Sequence, residues 1–435
     1  ITDALNMRGI ANAEKPGEIE LRALKAGNDI LLFPQDPVKA IQRIKQAVDS
    51  GEVAPEVIDE ACLKVLRAKD WTGLDHVKPV QREHLYEDLN TPDALALRRR
   101  LYGEALTVVR NDGTLPVQGL DTLRIASLVI GDTLHNSFQQ ALGRYANITE
   151  LRCEKILNAG QSQALLDSLK QFDLVIASVH NTSFRVSKEF GVPQLTLDFL
   201  RRLADQQRMA FVLFANPYRL GLAYGAQRWN ALVVAYEETD DTQDLAAQLL
   251  FGAIPAKGKL PVTASSFFPY GKGVKVPANG RLRYGMPEEN SMDTGELQRI
   301  DTIVREGLDA KAYPGCQVLV AKNGNVIWNK AYGSPTYAGT RAVSTDDIYD
   351  LASITKVAGT TLALMKLVDE GKLDVEKTLG DYIPQLVAGH PYHASLKLSE
   401  ILAHQAGLRP FSPFYLRLLD KGKLKPDFVT SVPDT

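Results

Sequence analysis

The sequence has few cysteines, and the three that it has are far apart. Cys62, Cys153 and Cys316 are odd in number, and none sits in a C-x-x-C pair or in a Cys/His cluster. This spacing argues against a disulfide scaffold and against a zinc site, so we expect three buried thiols, no metal and no cofactor. Long apolar runs are also missing, since none reaches the ~18 residues that a membrane span requires.

An excess of either charge is absent too. The chain has 50 Lys and Arg against 52 Asp and Glu, and the basic residues are scattered rather than clustered. Without a basic stripe, nucleic acid is excluded as a partner. The opening stretch ITDALNMRGI is not a signal peptide, and the final KPDFVTSVPDT has the composition of a loop interior. We therefore expect a piece of a longer protein, whose localisation the N-terminus does not indicate.

The length predicts two to four domains, at roughly 100–200 residues per domain. In the first of them, GEIELRALKAGND predicts a helix that stops at Gly27. The continuous apolar run DILLFP, closed by Pro34, predicts a fully buried parallel strand. DPVKAIQRIKQAVDSG and APEVIDEACLKVLRAKDW predict two further amphipathic helices.

Beyond Thr91, continuous apolar runs alternate with helical stretches. The runs are LRIASLVIG, FDLVIASVHN, MAFVLFANPY and ALVVAYEE, and AGQSQALLDSLKQ and TLDFLRRLADQQ lie between them. This alternation predicts a mostly parallel sheet covered by helices on both faces. Two loops, GDTLHNS and VHNTSF, follow strands at the edge where open α/β sheets bind ligands, although ordinary strand-end loops are the simpler interpretation.

The amino-acid composition changes near Phe267. The stretch FFPYGKGVKVPANGRLRYGMPEEN is rich in Gly and Pro without periodicity, and it predicts a linker. TGELQRIDTIVREGLDAKAY then predicts an amphipathic helix capped by Thr294. GCQVLVAKNGNVIWNKAYG predicts a hairpin that turns at Asn323-Gly324. The next helix carries Lys356 and is predicted to end at Gly371.

The stretch Ser353-Ile354-Thr355-Lys356 places a serine three residues before a lysine. On a helix this spacing puts both side chains on one face, where the amine can activate the hydroxyl as a nucleophile. The alternative is a serine that caps a helix start, followed by a surface lysine. The four residues alone leave both interpretations open.

The surroundings of this pair supply a resemblance. A helix, a hairpin, STDDIYDLASITKVAGTTLALMKLVDEGKLDVEKTLGDYIP and LKLSEILAHQAGL follow one another from Met292 onward. This order resembles the serine β-lactamase and penicillin-binding-protein superfamily, particularly its class C-like members and related esterases. The resemblance implies that Ser353 is the acyl-accepting nucleophile, that Lys356 is its base partner, and that His404 and Gly407 are structural. The Tyr-x-Asn-type and Lys-Thr-Gly-type elements of that superfamily do not occur between Ser353 and Thr435.

The second candidate catalytic residue is Asp3, at the end of a predicted short strand. Barrel enzymes place catalytic groups at the carboxyl ends of strands, whereas an aspartate there can also merely cap a turn. The stretch from ITDALNM to NDILLFPQDPVKAIQRIKQAVDSG resembles the end of the barrel of glycoside hydrolase family 3, in its β-N-acetylhexosaminidase-like branch. GEALTVVRNDGTLPV and ETDDTQDLAAQLLFGAIPAKGKLPVT are similar to the second, α/β sandwich domain of that family.

The family 3 resemblance implies a retaining mechanism. Asp3 would attack the anomeric carbon, and a His-Asp acid/base pair would protonate the leaving group. In that branch the pair lies upstream, in a Lys-His-x-Pro-Gly-His-Gly-type motif that this sequence does not contain. The pair His390 and His393 lies in a different region, and we interpret it as part of a loop rather than as a metal site.

Together these features predict a multidomain α/β chain of four segments. Residues 1–72 are the tail of a (β/α)8-type barrel, 73–268 an α/β sandwich with a mostly parallel sheet, 269–291 a linker, and 292–435 the N-terminal part of an α+β β-lactamase-like domain.

The predicted function is release of terminal β-linked N-acetylglucosamine from cell-wall or chitin-type glycans, with an appended Ser-x-x-Lys acyl-transfer domain acting on a peptide or ester. Alternatively, the Ser-Lys domain is the working esterase or D-alanyl peptidase and the glycosidase part is a scaffold. A third hypothesis is a binding module without turnover. A periplasmic or exported location is favoured over the cytoplasm, and the sequence leaves the oligomeric state open.

Overall fold

The described residues of the chain form two compact units. A computed structural model describes residues 1–7, 9, 15–76, 79–132, 134, 136–409 and 411–425. The first unit contains Ile1–Glu296 with Lys322–Asn325, and the second contains Leu297–Ala321 with Val326–Thr435. The finer division into four segments stays a prediction.

The first unit opens with the three predicted helices. They are α1 (Glu18–Lys25), α2 (Pro37–Asp49) and α3 (Pro55–Trp71). Helix α2 begins where Asp36 Oδ1 accepts a hydrogen bond from Lys39 N at 3.1 Å, with Pro37 at the first helical position. Helix α1 ends just before Gly27, which takes a φ of 89°. Both helices contribute to a small apolar cluster, in which Leu21 and Ala47 are fully buried.

The prediction of a buried strand at DILLFP was wrong. This stretch is extended and accepts backbone hydrogen bonds from the N-terminal residues, from Thr2 N to Ile30 O at 3.0 Å and from Leu5 N to Leu32 O at 2.9 Å. It is not a regular strand, and Leu32 and Phe33 are 39% and 64% exposed. Among the described residues the two extended segments pair only with each other and form no closed barrel, so Ile1, Leu32 and Phe33 face solvent, although Leu5 is buried.

A six-stranded sheet is the centre of the first unit. Its strands are β1 (Thr107–Asn111), β2 (Ile125–Ile130), β3 (Ile148–Cys153), β4 (Leu174–Val179), β5 (Met209–Leu213) and β6 (Ala231–Val234). The order is β1-β6-β5-β4-β2-β3, in which β1 is antiparallel to β6 and every other pair is parallel. This confirms the predicted mostly parallel α/β architecture.

Helices cover both faces of this sheet. The helices that contribute buried residues there are α5 (Pro92–Ala105), α6 (Ser137–Gly143), α7 (Ala159–Leu169), α8 (Gln194–Ala204) and α9 (Asp240–Leu250), with 3-10 turns at Val186–Gly191, Pro217–Leu222 and Ala226–Arg228. The short helix α4 (Leu85–Leu89) and a 3-10 turn at Leu74–His76 precede them and have no described residue in the sheet core. The core on one face includes Leu200 and Phe211, and the core on the other includes Phe138 and Leu249. Each such fully buried side chain contributes roughly 1.5–3 kcal/mol of transfer free energy.

The predicted linker at 269–291 packs along the first unit. Val276 is buried, and its segment pairs with Ala256 through backbone hydrogen bonds. Arg281 Nη1 donates to the carbonyls of Phe251 at 2.7 Å and Val117 at 2.8 Å. A short strand β7 (Arg283–Tyr284) and a 3-10 turn (Pro287–Asn290) complete it. The Gly and Pro content of this segment therefore belongs to packed turns rather than to an extended connector.

The predicted helix after this segment is α10 (Thr294–Asp309), but its predicted cap was wrong. Asp293 Oδ1, not Thr294, accepts the hydrogen bond from Glu296 N, at 2.8 Å. Aspartate one residue earlier reaches the same donor with a charged oxygen, which favours it as the cap.

The predicted hairpin is formed. Strands β8 (Gly315–Lys322) and β9 (Asn325–Gly333) are joined by Asn323 and Gly324, whose φ values of 53° and 72° are those of a type I′ turn. The remaining elements are a 3-10 turn (Ala352–Ile354), a π-helical segment (Lys356–Thr361), α11 (Leu362–Asp369), α12 (Leu379–Tyr382), α13 (Pro391–Ala394), α14 (Leu398–Leu402), a 3-10 turn (Phe414–Leu418), β10 (Leu419–Asp420) and β11 (Lys423–Leu424).

The three cysteines are free thiols, and the prediction that all are buried was wrong. Cys62 is exposed on α3, while Cys153 and Cys316 are half-buried. Cys62 lies on the solvent side of an amphipathic helix, where the apolar pattern of the sequence does not decide the exposure of a single position. Within the described parts of the chain, no helix is long and apolar enough to cross a membrane.

Candidate functional site

The structure brings the hydroxyl of Ser353 and the amine of Lys356 together. Lys356 Nζ lies 2.9 Å from Ser353 Oγ, within hydrogen-bonding distance. Ser353 lies in the 3-10 turn and Lys356 begins the π-helical segment, so the pair sits where one helical form changes to another. The preceding Ala352 has a φ of 44°, a value that non-glycine residues rarely adopt. Such irregular backbone is frequent at functional sites.

This contact can serve two chemical roles, depending on whether the Lys356 amine is protonated. A protonated amine donates to the serine oxygen and stabilises negative charge on it. A neutral amine accepts the hydroxyl proton and makes the oxygen a nucleophile. Both side chains are exposed, and no other described residue hydrogen-bonds the Ser353 hydroxyl. The pair is thus open to a substrate that approaches from solvent.

The tyrosines of the second unit do not join this pair. The Tyr382 hydroxyl accepts a hydrogen bond from Asp374 N at 2.6 Å, and the Tyr392 hydroxyl donates to Ala406 O at 2.7 Å. Both hydroxyls therefore stabilise nearby loops through hydrogen bonds to the backbone. Among the described residues, Ser353 and Lys356 are the part of the predicted acyl-transfer site that the structure assembles.

Gly407 has a steric role in the loop that Tyr392 anchors. Its φ is 64°, and a Cβ on it would lie 2.6 Å from the Tyr392 hydroxyl oxygen. A side chain at this position would therefore displace Tyr392 from Ala406. His404, three residues earlier, also has a positive φ, of 57°.

We expect Gly407→Ala to destabilise the second unit more than Gly371→Ala does. The two glycines have nearly equal φ values, 64° and 66°, but a Cβ on Gly371 would meet no atom within 4 Å. Each substitution carries the backbone cost of about 1 kcal/mol, and Gly407→Ala adds roughly 1–2 kcal/mol for the clash and the broken hydrogen bond. Scanning calorimetry of both variants measures the difference, and equal melting temperatures would contradict it.

Asp3 lies in the extended N-terminal segment and is exposed. Its Oδ1 accepts a hydrogen bond from Ala4 N at 2.7 Å, and no other described residue bonds its carboxylate. The neighbouring Thr2 fixes the segment, because Thr2 Oγ1 accepts from Leu32 N at 2.8 Å. The exposed carboxylate thus keeps one oxygen without a hydrogen-bond partner among the described residues, on a backbone that Thr2 fixes. Ser353 and Asp3 belong to different units.

A third cluster, which the sequence did not reveal, occupies the carboxyl ends of β4 and β6. His180 Nδ1 lies 3.1 Å from Glu238 Oε1, and its Nε2 lies 2.8 Å from Ser178 Oγ. Glu238 also accepts from Asn181 N at 2.9 Å and from Thr182 N at 2.8 Å. The sequence pointed to the loop VHNTSF as a possible ligand-binding loop. Its partner Glu238, in AYEE, is far away in sequence and was not recognised. Thr133 and His135, in the other suspected loop GDTLHNS, lie outside the described residues.

The environment of Glu238 keeps it ionised. Burial would raise the pKa of this carboxyl, but hydrogen bonds from His180 and from the N–H groups of Thr182 and Asn181 outweigh burial and lower the pKa from 4.5 to about 2. A neutral His180 satisfies the whole cluster when its Nδ1–H donates to Glu238 and its Nε2 accepts from Ser178. Ser178 and His180 are fully buried, so they support the loop rather than contact a ligand.

We expect Glu238→Gln to flatten the acid sensitivity of the first unit. A carboxyl whose folded pKa is depressed stabilises the fold above pH 4.5, and this contribution is lost as the pH falls from about 4.5 to about 2. The wild-type protein should lose roughly 3 kcal/mol more than the variant across that window. Urea unfolding at pH 5 and pH 2.5 measures this, with Glu237→Gln as the neighbouring control. Parallel losses in all three proteins would contradict it.

Comparison with known families matches two regions of the chain. The matches point to hydrolases at both ends of the chain. Residues 1–68 match the family described as Glycosyl hydrolase family 3 N terminal domain, and residues 300–428 match the family described as Beta-lactamase. These two matches confirm both family resemblances that the motifs suggested, one at each end of the chain.

Curated relatives match about a third of the chain. A putative D-alanyl-D-alanine carboxypeptidase of Salmonella agona is 35% identical over 154 residues, which is 33% of this chain and 35% of the relative. The protein of the same description from Salmonella enteritidis is 34% identical over the same length. The chain thus spans about a third of the length of the curated relatives that it matches.

Solved structures similar to the chain include family 3 enzymes. A glycoside hydrolase family 3 β-N-acetylglucosaminidase from Paenibacillus is 19% identical, with a TM-score of 0.44 over 60% of this chain and 50% of that protein. A β-glucosidase from Listeria innocua is 18% identical, with a TM-score of 0.43 over 60% of this chain and 40% of that protein.

Proposed function

We propose that Ser353 is the nucleophile of an acyl-transfer reaction on a D-alanyl peptide or a related ester, with Lys356 as its base. The observation that carries this proposal is the 2.9 Å contact between Lys356 Nζ and Ser353 Oγ. It is supported by the β-lactamase match around the pair and by the description of the relatives as putative D-alanyl-D-alanine carboxypeptidases.

The proposed steps use the two groups in turn. Ser353 Oγ attacks the carbonyl carbon of the scissile bond while its proton passes to a neutral Lys356 amine. The tetrahedral intermediate then expels the leaving amine or alcohol, which takes up a proton, and an acyl-serine ester remains. Water hydrolyses this ester, releases the acid and restores the hydroxyl. The open approach to both side chains is compatible with the chain terminus of a peptide substrate.

An intact-mass measurement on the full-length natural protein tests this proposal. Incubation with a penicillin or with an activated D-alanyl ester should add the mass of one acyl group, and peptide mapping should place it on Ser353. A protein that stays unmodified by both reagents, under conditions that acylate a known penicillin-binding protein, would refute the proposal.

The second candidate function is that of a retaining glycoside hydrolase that releases terminal β-linked N-acetylglucosamine. The observation in its favour is the family 3 match over residues 1–68, which contains the exposed carboxylate of Asp3. In the proposed reaction an Asp3 oxygen attacks the anomeric carbon and the glycosidic oxygen leaves with a proton from the acid/base pair. Water then cleaves the glycosyl-aspartate ester. Hydrolysis of a chromogenic N-acetyl-β-glucosaminide by the full-length protein tests this directly.

The two activities suit one polymer. Peptidoglycan carries both a GlcNAc-containing glycan and D-alanyl peptides, so we propose it as the common substrate and an exported or periplasmic compartment as the location. Digestion of purified peptidoglycan, followed by chromatography of the released sugars and amino acids, should yield N-acetylglucosamine and D-alanine. Release of neither product would remove the common substrate from the proposal.

A further inference from the structure

A cleft of about 770 Å³ lies along helix α5 of the first unit. Helix α5 forms one wall, and Ile254, Lys257 and the 3-10 turn at Pro287–Asn290 contribute to the other. The volume falls within the range of roughly 300–1,000 Å³ that is typical of small-ligand sites. The described residues that line the cleft all belong to the first unit, and neither Asp3 nor Ser353 is among them.

The wall formed by α5 carries a negative charge, an apolar group and a positive charge in succession. Asp93, Leu97 and Arg100 line the cleft and are four and three residues apart, so they share one face of the helix. At a rise of roughly 1.5 Å per residue, Asp93 and Arg100 are about 10 Å apart along the helix axis. Leu97 lies between them and is 47% exposed. The cleft therefore presents two opposite charges with an apolar surface between them.

The two charged side chains are not paired within the protein. In the described part of the chain, neither Asp93 nor Arg100 forms a hydrogen bond or an ion pair through its side chain, and both residues are exposed. Glu104 and Lys257, which also line the cleft, pair with each other at 3.1 Å. The charges that remain open to a ligand are thus one carboxylate and one guanidinium at opposite ends of the α5 face.

A buried arginine connects the two walls of the cleft. Arg99 Nη1 lies 3.2 Å from Asp241 Oδ1, its Nη2 donates to Tyr284 O at 2.8 Å, and its Nε lies 3.2 Å from Glu289 Oε1. The same guanidinium pairs with Asp244. Arg99 belongs to α5, the two aspartates to α9 and the glutamate to the 3-10 turn, so these ion pairs fix the lining elements relative to one another. The cleft is therefore formed before a ligand arrives, which lowers the entropic cost of binding.

We propose that this cleft binds a short zwitterionic peptide, a tripeptide with small side chains. An extended peptide advances about 3.3–3.6 Å per residue, so the ammonium and carboxylate groups of a tripeptide are about 10 Å apart. The ammonium pairs with Asp93, the carboxylate accepts two hydrogen bonds from the Arg100 guanidinium, and the central side chain packs on Leu97. A ligand with a single charge would leave one end of this face unused.

The proposed site goes beyond the chemistry proposed at Asp3 and Ser353, because none of its groups belongs to either candidate site. It would give the first unit a peptide-binding role that is separate from glycan hydrolysis.

Titration calorimetry of the full-length protein with trialanine tests the proposal. The Ser353→Ala background prevents acylation of the second unit during the titration. Trialanine should bind about fivefold more tightly than N-acetyl-trialanine or trialanine amide, because each cap removes one of the two charges. Arg100→Gln should remove the preference for the free carboxylate, and Asp93→Asn should remove the preference for the free ammonium. Arg201→Gln is the matched control, since Arg201 is an exposed arginine of α8 that does not line the cleft.

The outcomes separate this site from the acyl-transfer proposal. Loss of the corresponding preference in each variant, with Arg201→Gln unchanged, supports the cleft, whether or not a penicillin acylates Ser353 in the wild-type protein. Equal binding of trialanine and its two capped forms, absence of binding, or preferences that persist in Arg100→Gln and Asp93→Asn would overturn the proposal. Both substitutions replace exposed side chains with neutral ones of similar size, so circular dichroism should show an unchanged fold.

Discussion

Replacing Asp3 by asparagine should abolish hydrolysis of a chromogenic N-acetyl-β-glucosaminide by the full-length protein. Asparagine preserves the size of the side chain and can still accept a hydrogen bond from Ala4 N, so the fold of the N-terminal segment should persist. It removes the anionic oxygen that would attack the anomeric carbon. We expect kcat/KM to fall by roughly a thousand-fold or more, which corresponds to about 4 kcal/mol of lost transition-state stabilisation.

Asp59→Asn provides the matched control for this experiment. Asp59 is an exposed aspartate on α3, in the same family 3 segment, and it is far from Asp3 in sequence. Its loss should leave the rate within a factor of two. Equal rates for Asp3→Asn and the wild-type protein would remove Asp3 as the nucleophile. Absence of turnover in the wild-type protein, on glucoside and xyloside analogues as well, would leave the first unit as a scaffold.

Strands with a strong local signal in the sequence were predicted correctly. The runs that became β2, β4, β5 and β6 are continuous and apolar, because these strands are buried on both faces of the sheet. Strand β3 was missed, since Glu150 and Arg152 interrupt its apolar pattern. As an edge strand it can expose these charged side chains, and its identity depends on pairing with β2 rather than on its own composition.

The failure at DILLFP has the opposite cause. The run is as apolar as the buried strands, but burial requires neighbours, and the described residues provide a partner on one side only. The apolar composition of a segment indicates that it can be buried in a complete sheet. Whether it is buried depends on the neighbouring strands with which it pairs. For the same reason the exposure of Cys62 could not be derived from the amphipathic pattern of its helix.

The candidate sites also differ in how far the sequence could predict them, because some contacts are local and others join distant residues. The contact of Ser353 with Lys356 is local, so the three-residue spacing predicted that the two side chains could meet, although the spacing alone left a surface lysine as the alternative. The π-helical turn that begins at Lys356 was not predictable from that spacing. The Glu238 cluster joins residues that are 56 to 58 positions apart, so only the order of the strands in the sheet brings them together.

Removing the serine hydroxyl should abolish covalent modification of the second unit. In Ser353→Ala the nucleophile is missing while the backbone turn is kept, so a fluorescent penicillin should no longer label the protein. Ser395→Ala is the control, because this exposed serine hydrogen-bonds only a backbone carbonyl, that of Tyr392. Labelling that survives in Ser353→Ala would assign the reaction to another residue.

Two substitutions at Lys356 separate its possible roles. Arginine keeps the positive charge near Ser353 but cannot give up its proton, whereas methionine removes the charge and keeps the length of the side chain. If the amine acts as a general base, both variants should acylate roughly 10²–10⁴-fold more slowly than the wild-type protein. If it acts only through its charge, Lys356→Arg should stay near the wild-type rate and Lys356→Met alone should be slow. Lys366→Met, at an exposed lysine of α11, should leave the rate unchanged. Because the 2.9 Å contact allows both roles, the rate of Lys356→Arg decides which of them the structure uses.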